Sequence, residues 1–78
     1  MNTYFFDVRD NDKISRDSVG VFCVSDADIR KKAIETLPGL AGDVLPDGDQ
    51  HEISVLVREK GGTYVFIATL LLISHWIR

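Results

Sequence analysis

The chain of 78 residues is poor in the residues that usually hold small domains together, with one cysteine and two histidines. Cys23 stands alone, which excludes an internal disulfide, and we expect it to be a buried small hydrophobic residue. His51 and His75 lie far apart without ligand spacing, so no metal site is predicted. A domain of this size is marginally stable alone, and oligomerisation is the stabilising device that remains.

Positive charge is also scarce, since 9 Lys and Arg stand against 12 Asp and Glu, for a net charge of −3. The densest basic run, Arg30-Lys31-Lys32, is interpreted as the solvated face of a helix, and the absence of a basic stripe argues against nucleic-acid binding. No signal peptide is predicted at Met1-Asn2-Thr3. The apolar run near the C-terminus has about half the length of a membrane helix. We expect one cytoplasmic domain over residues 1–78 that binds no membrane.

The most informative segment that is present runs over residues 63–73 and is apolar on both faces of a predicted strand. One side carries Tyr64, Phe66, Ala68, Leu70 and Leu72, and the other carries Val65, Ile67, Thr69, Leu71 and Ile73. A helix in so short a chain can cover only one side of a sheet. The other apolar side is expected to meet a further surface, most simply a second copy of the chain.

Alternating polar and apolar residues predict three more strands, over residues 3–9, 19–24 and 52–58. Glu59-Lys60-Gly61-Gly62 supplies the turn of a C-terminal hairpin. A turn cluster follows the first strand at Asp10-Asn11-Asp12-Lys13, and a polar connection through Asp17 leads to the second strand. The first two strands are predicted to form a loose hairpin.

A helix is predicted over residues 26–45, with Ser25 as its N-cap and Asp28 in the capping-box position. Pro38 is expected to kink this helix, and two abutting helices are the alternative. The turn chemistry of Pro46-Asp47-Gly48-Asp49 ends it. Its apolar face consists of Ile29, Ala33, Leu37, Leu40 and Val44, widened by Ile34, Ala41 and Leu45.

The element order β-β-α-β-β predicts an α+β fold, a two-layer sandwich with one kinked helix on a mainly antiparallel four-stranded sheet. The helix is expected to cover Ile53, Val55, Val57, Tyr64, Phe66, Ala68 and Leu70. The opposite face is the predicted interface between copies, which are expected to form a dimer. Its candidate residues are Phe5, Leu56, Ile67, Leu71 and Ile73.

The polar residues form no recognisable catalytic, cofactor or metal motif, and none is assigned such a role. The acidic clusters at Asp10, Asp12 and Asp17 and at Asp47-Gly48-Asp49 lack the glycine and distant glutamate of a calcium loop, and we interpret them as solvated turns. His51 is expected to be exposed. Asp7 and Arg9 are expected to pair with each other or with a partner strand. Tyr64 and Trp76 are interpreted as core or interface anchors.

The chain resembles a family of small proteins common in rhizobia and related alphaproteobacteria, classed as a domain of unknown function. The resemblance rests on Tyr4-Phe5-Phe6-Asp7-Val8-Arg9-Asp10, Leu37-Pro38, Leu45-Pro46-Asp47-Gly48-Asp49 and the terminal hairpin ending in Trp76. Asn11 departs from the family pattern, which has Gly in the first turn, and the last strand is more apolar on its outward side. The resemblance implies a fold and a class of organism, and it transfers no site residues.

Three functions are compatible with these features. The first is a non-enzymatic structural or interaction module that self-associates through the outer sheet face. The second is a regulatory adaptor or antitoxin-like module that binds a different protein. The third, a small enzyme or ligand-binding domain, requires a polar cleft, for which Asp7, Arg9 and His51 are the candidates.

Overall fold

The computed structural model describes residues 2–44 and 49–78, and in them the chain forms one helix and five strands. The predicted α+β class is confirmed. The elements in chain order are β1 (Asn2–Asp10), β2 (Lys13–Ser15), β3 (Val21–Cys23), α1 (Asp26–Val44), β4 (Gln50–Glu59) and β5 (Tyr64–Ile73).

The strands form one antiparallel sheet in the order β2-β1-β4-β5, and β3 pairs with β1 beyond the end of β2. Both β2 and β3 therefore lie along the same side of β1, separated by residues 16–20. The opposite edge of the sheet is β5. The described sheet has five strands where four were predicted, because β2 was interpreted as part of a polar connection.

The turn between β1 and β2 contains Asn11 in a left-handed conformation, with φ of 50°. Asparagine is one of the few non-glycine residues that adopt this conformation readily. The turn is also tied to β4, since the Asn11 amide donates to the Glu52 carbonyl (2.9 Å) and the Asn11 Oδ1 accepts from the Glu52 amide (3.1 Å). Asn11 thus adds a side-chain hydrogen bond that a glycine at this position would lack.

Helix α1 is one continuous helix through Pro38, so the alternative of two abutting helices is wrong. The predicted cap is confirmed: Ser25 Oγ accepts from the Asp28 amide (3.1 Å), and Asp28 Oδ2 accepts from the Val24 amide (3.0 Å). The kink at Pro38 remains a prediction. The predicted helix end at Leu45 and the turn residues 46–48 lie outside the described residues.

The core lies between α1 and one face of the sheet, here called the inner face. It is made of buried side chains from α1, β3 and β4, namely Cys23, Ile29, Ala33, Leu37, Ala41, Ile53, Val55 and Val57. Leu40, Phe66 and Ala68 pack against them. The predicted helical stripe is confirmed at these positions and is wrong at Ile34, which is 39% exposed.

A β-bulge opposite Val57 and Arg58 changes the facing of the first residues of β5. Phe66 pairs with Val57 and Ala68 with Val55, which confirms the predicted register on the inner face. Tyr64, however, pairs with Arg58, whose side chain lies on the other face. The prediction that the helix covers Tyr64 is therefore wrong, because a bulge inserts one residue and reverses the alternation beyond it.

Candidate interaction surface

The face of the sheet opposite α1, here called the outer face, carries all five predicted interface residues. The register places Phe5 opposite Arg58, Leu56 opposite Ile67, and Leu71 opposite Glu52. Ile73 pairs with Gln50 at the far end of β5. The helix contributes no side chain to the buried core on this side. The alternation of residues in the sequence thus correctly predicted that these five residues share one face of the sheet.

Three of the five residues form an exposed apolar row along β5, here called the β5 row: Ile67, Leu71 and Ile73, which are 52%, 48% and 62% exposed. Phe5 and Leu56 are less accessible than these three, since both are half-buried. Phe5 is further shielded by Arg58, whose guanidinium carbon lies 4.6 Å from the centre of its ring. Among these five residues, the accessible apolar surface is therefore concentrated at the β5 edge of the outer face.

The β1 side of the outer face is polar and closed by its own hydrogen bonds around Asp7, whose side chain is fully buried. Asp7 Oδ2 accepts from Arg58 Nε (2.9 Å) and from the Tyr64 hydroxyl (2.8 Å), and Oδ1 accepts from the Asp17 amide (2.9 Å). Both carboxylate oxygens are thus occupied. A buried charge with this many donors is a structural anchor.

Asp17 joins the same cluster and is not the solvated turn residue that was predicted. Its Oδ2 accepts from the Phe6 amide (3.1 Å), and its Oδ1 accepts from the amides of Val19 (2.9 Å) and Gly20 (3.1 Å). Phe6 lies where neither β2 nor β3 pairs with β1. The Asp17 carboxylate therefore satisfies the strand amide that the interrupted edge leaves free.

Hydrogen bonding sets the ionisation of both carboxylates. Burial by itself raises the pKa of Asp7, but the bonds from Arg58, the Asp17 amide and Tyr64 outweigh burial, and the pKa lies below its ordinary value. Burial likewise raises the pKa of Asp17, and the three backbone amides lower it further than burial raises it. The bond to Asp7 raises the pKa of Tyr64, which therefore stays a neutral donor.

Two further polar pairs lie on the outer face. Arg9 Nη2 lies 3.2 Å from Glu52 Oε1, so that Arg9 pairs with the neighbouring strand. The hydroxyl groups of Ser54 and Thr69 are 2.9 Å apart, and Ser54 is fully buried. The prediction that Asp7 and Arg9 pair with each other or with a partner strand is confirmed in its second form.

His51 was predicted to be exposed, and this is wrong, since only 5% of it is accessible. It begins the inner-face series of β4, and its Nε2 contacts Asp10 Oδ1. Its Nδ1 is buried without a hydrogen-bond partner among residues 2–44 and 49–78. The solvated-turn interpretation of Asp10 is thereby also corrected.

The candidate cleft of Asp7, Arg9 and His51 does not form. Asp7 and Arg9 lie on the outer face, whereas His51 lies on the inner face of the sheet. Within the described ranges, no group of three or more His, Cys, Asp or Glu side chains could hold a metal ion. Trp76, interpreted as an anchor, is 80% exposed after the end of β5.

The free edge of β5 completes the surface. Its ten residues include no charged residue, proline or glycine. The Ser74 amide donates to the Asp49 carbonyl (2.7 Å), which fixes the hydrogen-bonded positions of the β4–β5 ladder. Because these positions alternate in an antiparallel pair, Ile67, Thr69 and Leu71 direct their backbone groups away from β4.

Comparison with known proteins identifies a family and nothing more specific. Residues 3–71 match the model of a family described as a domain of unknown function, DUF6894. No curated protein and no solved structure matches the chain. In the described parts of the chain, no helix is both long and apolar enough to cross a membrane.

Proposed function

This chain belongs to the DUF6894 family, whose function is unknown, and from its geometry we propose that it is a non-enzymatic module that self-associates through the outer sheet face. The proposal includes the two-layer arrangement, in which α1 covers the inner face and the partner copy contacts the exposed apolar residues of the outer face. A cytoplasmic location in an alphaproteobacterium belongs to the same proposal.

The observation that carries the proposal is the position of the β5 row. Ile67, Leu71 and Ile73 are about half exposed on one face of β5, with Thr69 between Ile67 and Leu71, and the polar cluster around Asp7 lies on the same face of the sheet. Contiguous apolar surface with a polar border is typical of protein interaction sites. The closed hydrogen bonding of Asp7 supports a structural role for the polar part, since it leaves no carboxylate oxygen for a ligand.

Leu71→Glu tests the proposal. Leu71 lies in the middle of the β5 row and outside the buried core, so the substitution adds a charge to the interface and spares the packing under α1. Burial of the remaining exposed half of Leu71 in both copies contributes roughly 2 kcal/mol, and we expect association to weaken more than tenfold. Light scattering and sedimentation at tens of micromolar measure the change.

Ile14→Glu is the matched control. Ile14 pairs with Arg9 and is 61% exposed, but it lies in β2, at the opposite edge of the sheet. The variant is expected to associate as the wild type does. A wild-type chain that runs as a monomer at tens of micromolar contradicts the proposal, as does equal weakening by the two substitutions.

The alternative is an adaptor or antitoxin-like module that binds a different protein, and the free edge of β5 favours it, since such edges accept strands from other chains. Purification of the tagged chain from its native cells separates the two. A second protein in stoichiometric amount, together with a monomeric chain in isolation, would establish the alternative.

A further inference from the structure

The β5 edge has a backbone pattern that another strand can complete. Ile67, Thr69 and Leu71 direct their N–H and C=O groups outward, because the positions between them bond to β4. Natural sheets protect long edges with charged residues, proline, bulges or short strands. Within Tyr64–Ile73 the bulge lies at the beginning, and residues 66–73 carry none of these protections.

The other edge of the sheet is protected. It consists of two three-residue strands, β2 and β3, and the Asp17 carboxylate occupies the strand amide between them. The two edges of one sheet thus differ sharply. Among the described strands, β5 alone offers a long uninterrupted edge for pairing in the outward direction.

The β5 edge is apolar on both sides of the sheet. The β5 row lies on the outer side, and Leu70 lies on the inner side with 37% of its surface exposed. Ala27, Arg30 and Val65 line a groove between the beginning of α1 and β5. Ile34 follows Arg30 by one helical turn, so its exposed side chain extends the same side of α1.

We propose that β5 pairs antiparallel with β5 of a second copy, so that two sheets join edge to edge into one continuous sheet. This inference rests on the proposed self-association and names the contact that produces it. A second copy suits the edge because β5 has no charged side chain, so a two-fold axis opposes no like charges. The exposed apolar side chains of one edge then meet those of the other.

The pairing has a defined register. Positions that direct backbone groups outward must oppose one another, and centring the two-fold axis on Thr69 pairs Ile67 with Leu71 of the second copy. This register places the two Thr69 residues opposite each other and pairs residues 65–73 of the two copies. It leaves the hydrogen bond from Tyr64 to Asp7 intact. Both helices lie on the same side of the joined sheet. Since α1 packs over β4 and β5, and strands lie about 4.8 Å apart, the helix axes come within about 10 Å, a normal packing distance.

Cysteine cross-linking tests the register directly. In a hydrogen-bonded antiparallel pair the two Thr69 Cα atoms lie about 5.5 Å apart, within the range of a disulfide. The two Ile73 Cα atoms lie about 27 Å apart at 3.4 Å per residue. We expect Thr69→Cys in the full chain to form a disulfide-linked dimer under mild oxidation at least tenfold faster than Ile73→Cys. Cys23 is buried, so the wild type supplies the background.

A proline substitution tests the backbone contact. Thr69→Pro removes an outward N–H without removing a backbone hydrogen bond to β4. It also removes the hydroxyl that bonds to Ser54, and Thr69→Val removes the same hydroxyl but keeps the N–H. We expect Thr69→Pro to associate more than tenfold more weakly than Thr69→Val. Circular dichroism checks the fold of each variant. If Thr69→Pro does not fold, the cross-linking of Thr69→Cys and Ile73→Cys tests the edge pairing instead.

The outcomes separate this inference from the proposed function. Association of Thr69→Pro equal to that of Thr69→Val, or equal cross-linking of the two cysteine variants, overturns the edge pairing. If the edge pairing is overturned in this way but Leu71→Glu is monomeric, the outer face alone mediates association and the proposed function stands. A monomeric wild type overturns both.

Discussion

At the scale of single residues, the most constrained side chain is Asp7, which is buried and bonded to Arg58, Tyr64 and a backbone amide. Neither Arg58 nor Tyr64 is close to it in sequence, so the cluster depends on the pairing of β1, β4 and β5. The bulge is also required, because it turns Tyr64 to the outer face. One irregular position in β5 thus completes the hydrogen bonding of a carboxylate two strands away.

Asp7→Asn is expected to lower the free energy of unfolding by roughly 1–3 kcal/mol at pH 7, since it leaves Arg58 without its buried counter-charge. The pKa of Asp7 is lower in the folded state than in the unfolded state. The stabilisation by ionised Asp7 is therefore complete above the unfolded pKa of about 4 and is lost as the pH falls through the folded pKa. The difference between wild type and variant should therefore shrink from pH 5 to pH 2.

Urea unfolding across this pH range measures the effect. Asp12→Asn is the control, because Asp12 is exposed in the β1–β2 turn, and its curve should follow that of the wild type. A constant difference between Asp7→Asn and wild type down to pH 2 would contradict the role given to the ionised carboxylate.

The sequence predicted residues well where alternation continues without a break and poorly where it does not. Val55, Val57 and Phe66 are on the predicted face because a period of two holds between them. Tyr64 is on the opposite face because no local pattern marks the bulge. Asp17 and His51 were misjudged since their partners, at Phe6 and Asp10, are 11 and 41 residues distant.

At the scale of elements, α1 combines a strong start with a weak second half. Ser25 and Asp28 cap its first turn, whereas Pro38, Gly39 and Gly42 lower its intrinsic helical stability. The helix persists because Leu37 and Ala41 are buried against β4. Tertiary packing therefore maintains a segment that local preference disfavours.

Gly39→Ala is expected to stabilise the protein by about 0.5–1 kcal/mol, since the glycine is exposed and an added Cβ meets nothing within 4 Å. Gly20→Ala is expected to destabilise it. Gly20 has φ of +88°, and its Cβ would lie 2.5 Å from Thr3 Cγ2. Thermal unfolding of both variants measures these opposite signs, and a loss of stability in Gly39→Ala would contradict the account of α1.

The elements predicted from sequence include every one long enough to show a period, together with β3, whose three residues lie within the predicted strand over residues 19–24. β1, α1, β4 and β5 each have nine or more residues, and all four were located. β2 has three exposed residues and no hydrophobic face, so it exists only because β1 offers a partner. The continuity of α1 through Pro38 was predicted because the apolar phase does not shift there.

At the scale of the whole molecule, the apolar surface is distributed unevenly. One side of the sheet is covered by α1, and ion pairs close the part of the outer face around Asp7 and Arg9. An exposed apolar row follows β5, whereas Ile14 and Phe22 are single exposed apolar side chains at the opposite edge. This distribution, and not the total apolar content, is the basis for proposing association.

Association predicts that stability depends on protein concentration. The urea midpoint of the wild type should rise with protein concentration. The apparent free energy of unfolding should increase by up to about 1.4 kcal/mol for each tenfold increase in protein concentration. Leu71→Glu should show a midpoint independent of concentration. Unfolding at 1 and 100 µM tests both, and a concentration-independent wild type would contradict the proposal at this scale.

The contrast between the two sheet edges bears on solubility in the cell. A strand ladder that accepts neighbours on both flanks can polymerise without limit, as fibres do. Here the opposite flank consists of the three-residue strands β2 and β3, with the Asp17 carboxylate on the amide between them, so β5 is the one long docking strand among those described and growth through it stops at a pair. Removing the Asp17 carboxylate, rather than exposing more apolar surface, would be the step that turns a finite complex into an aggregating one.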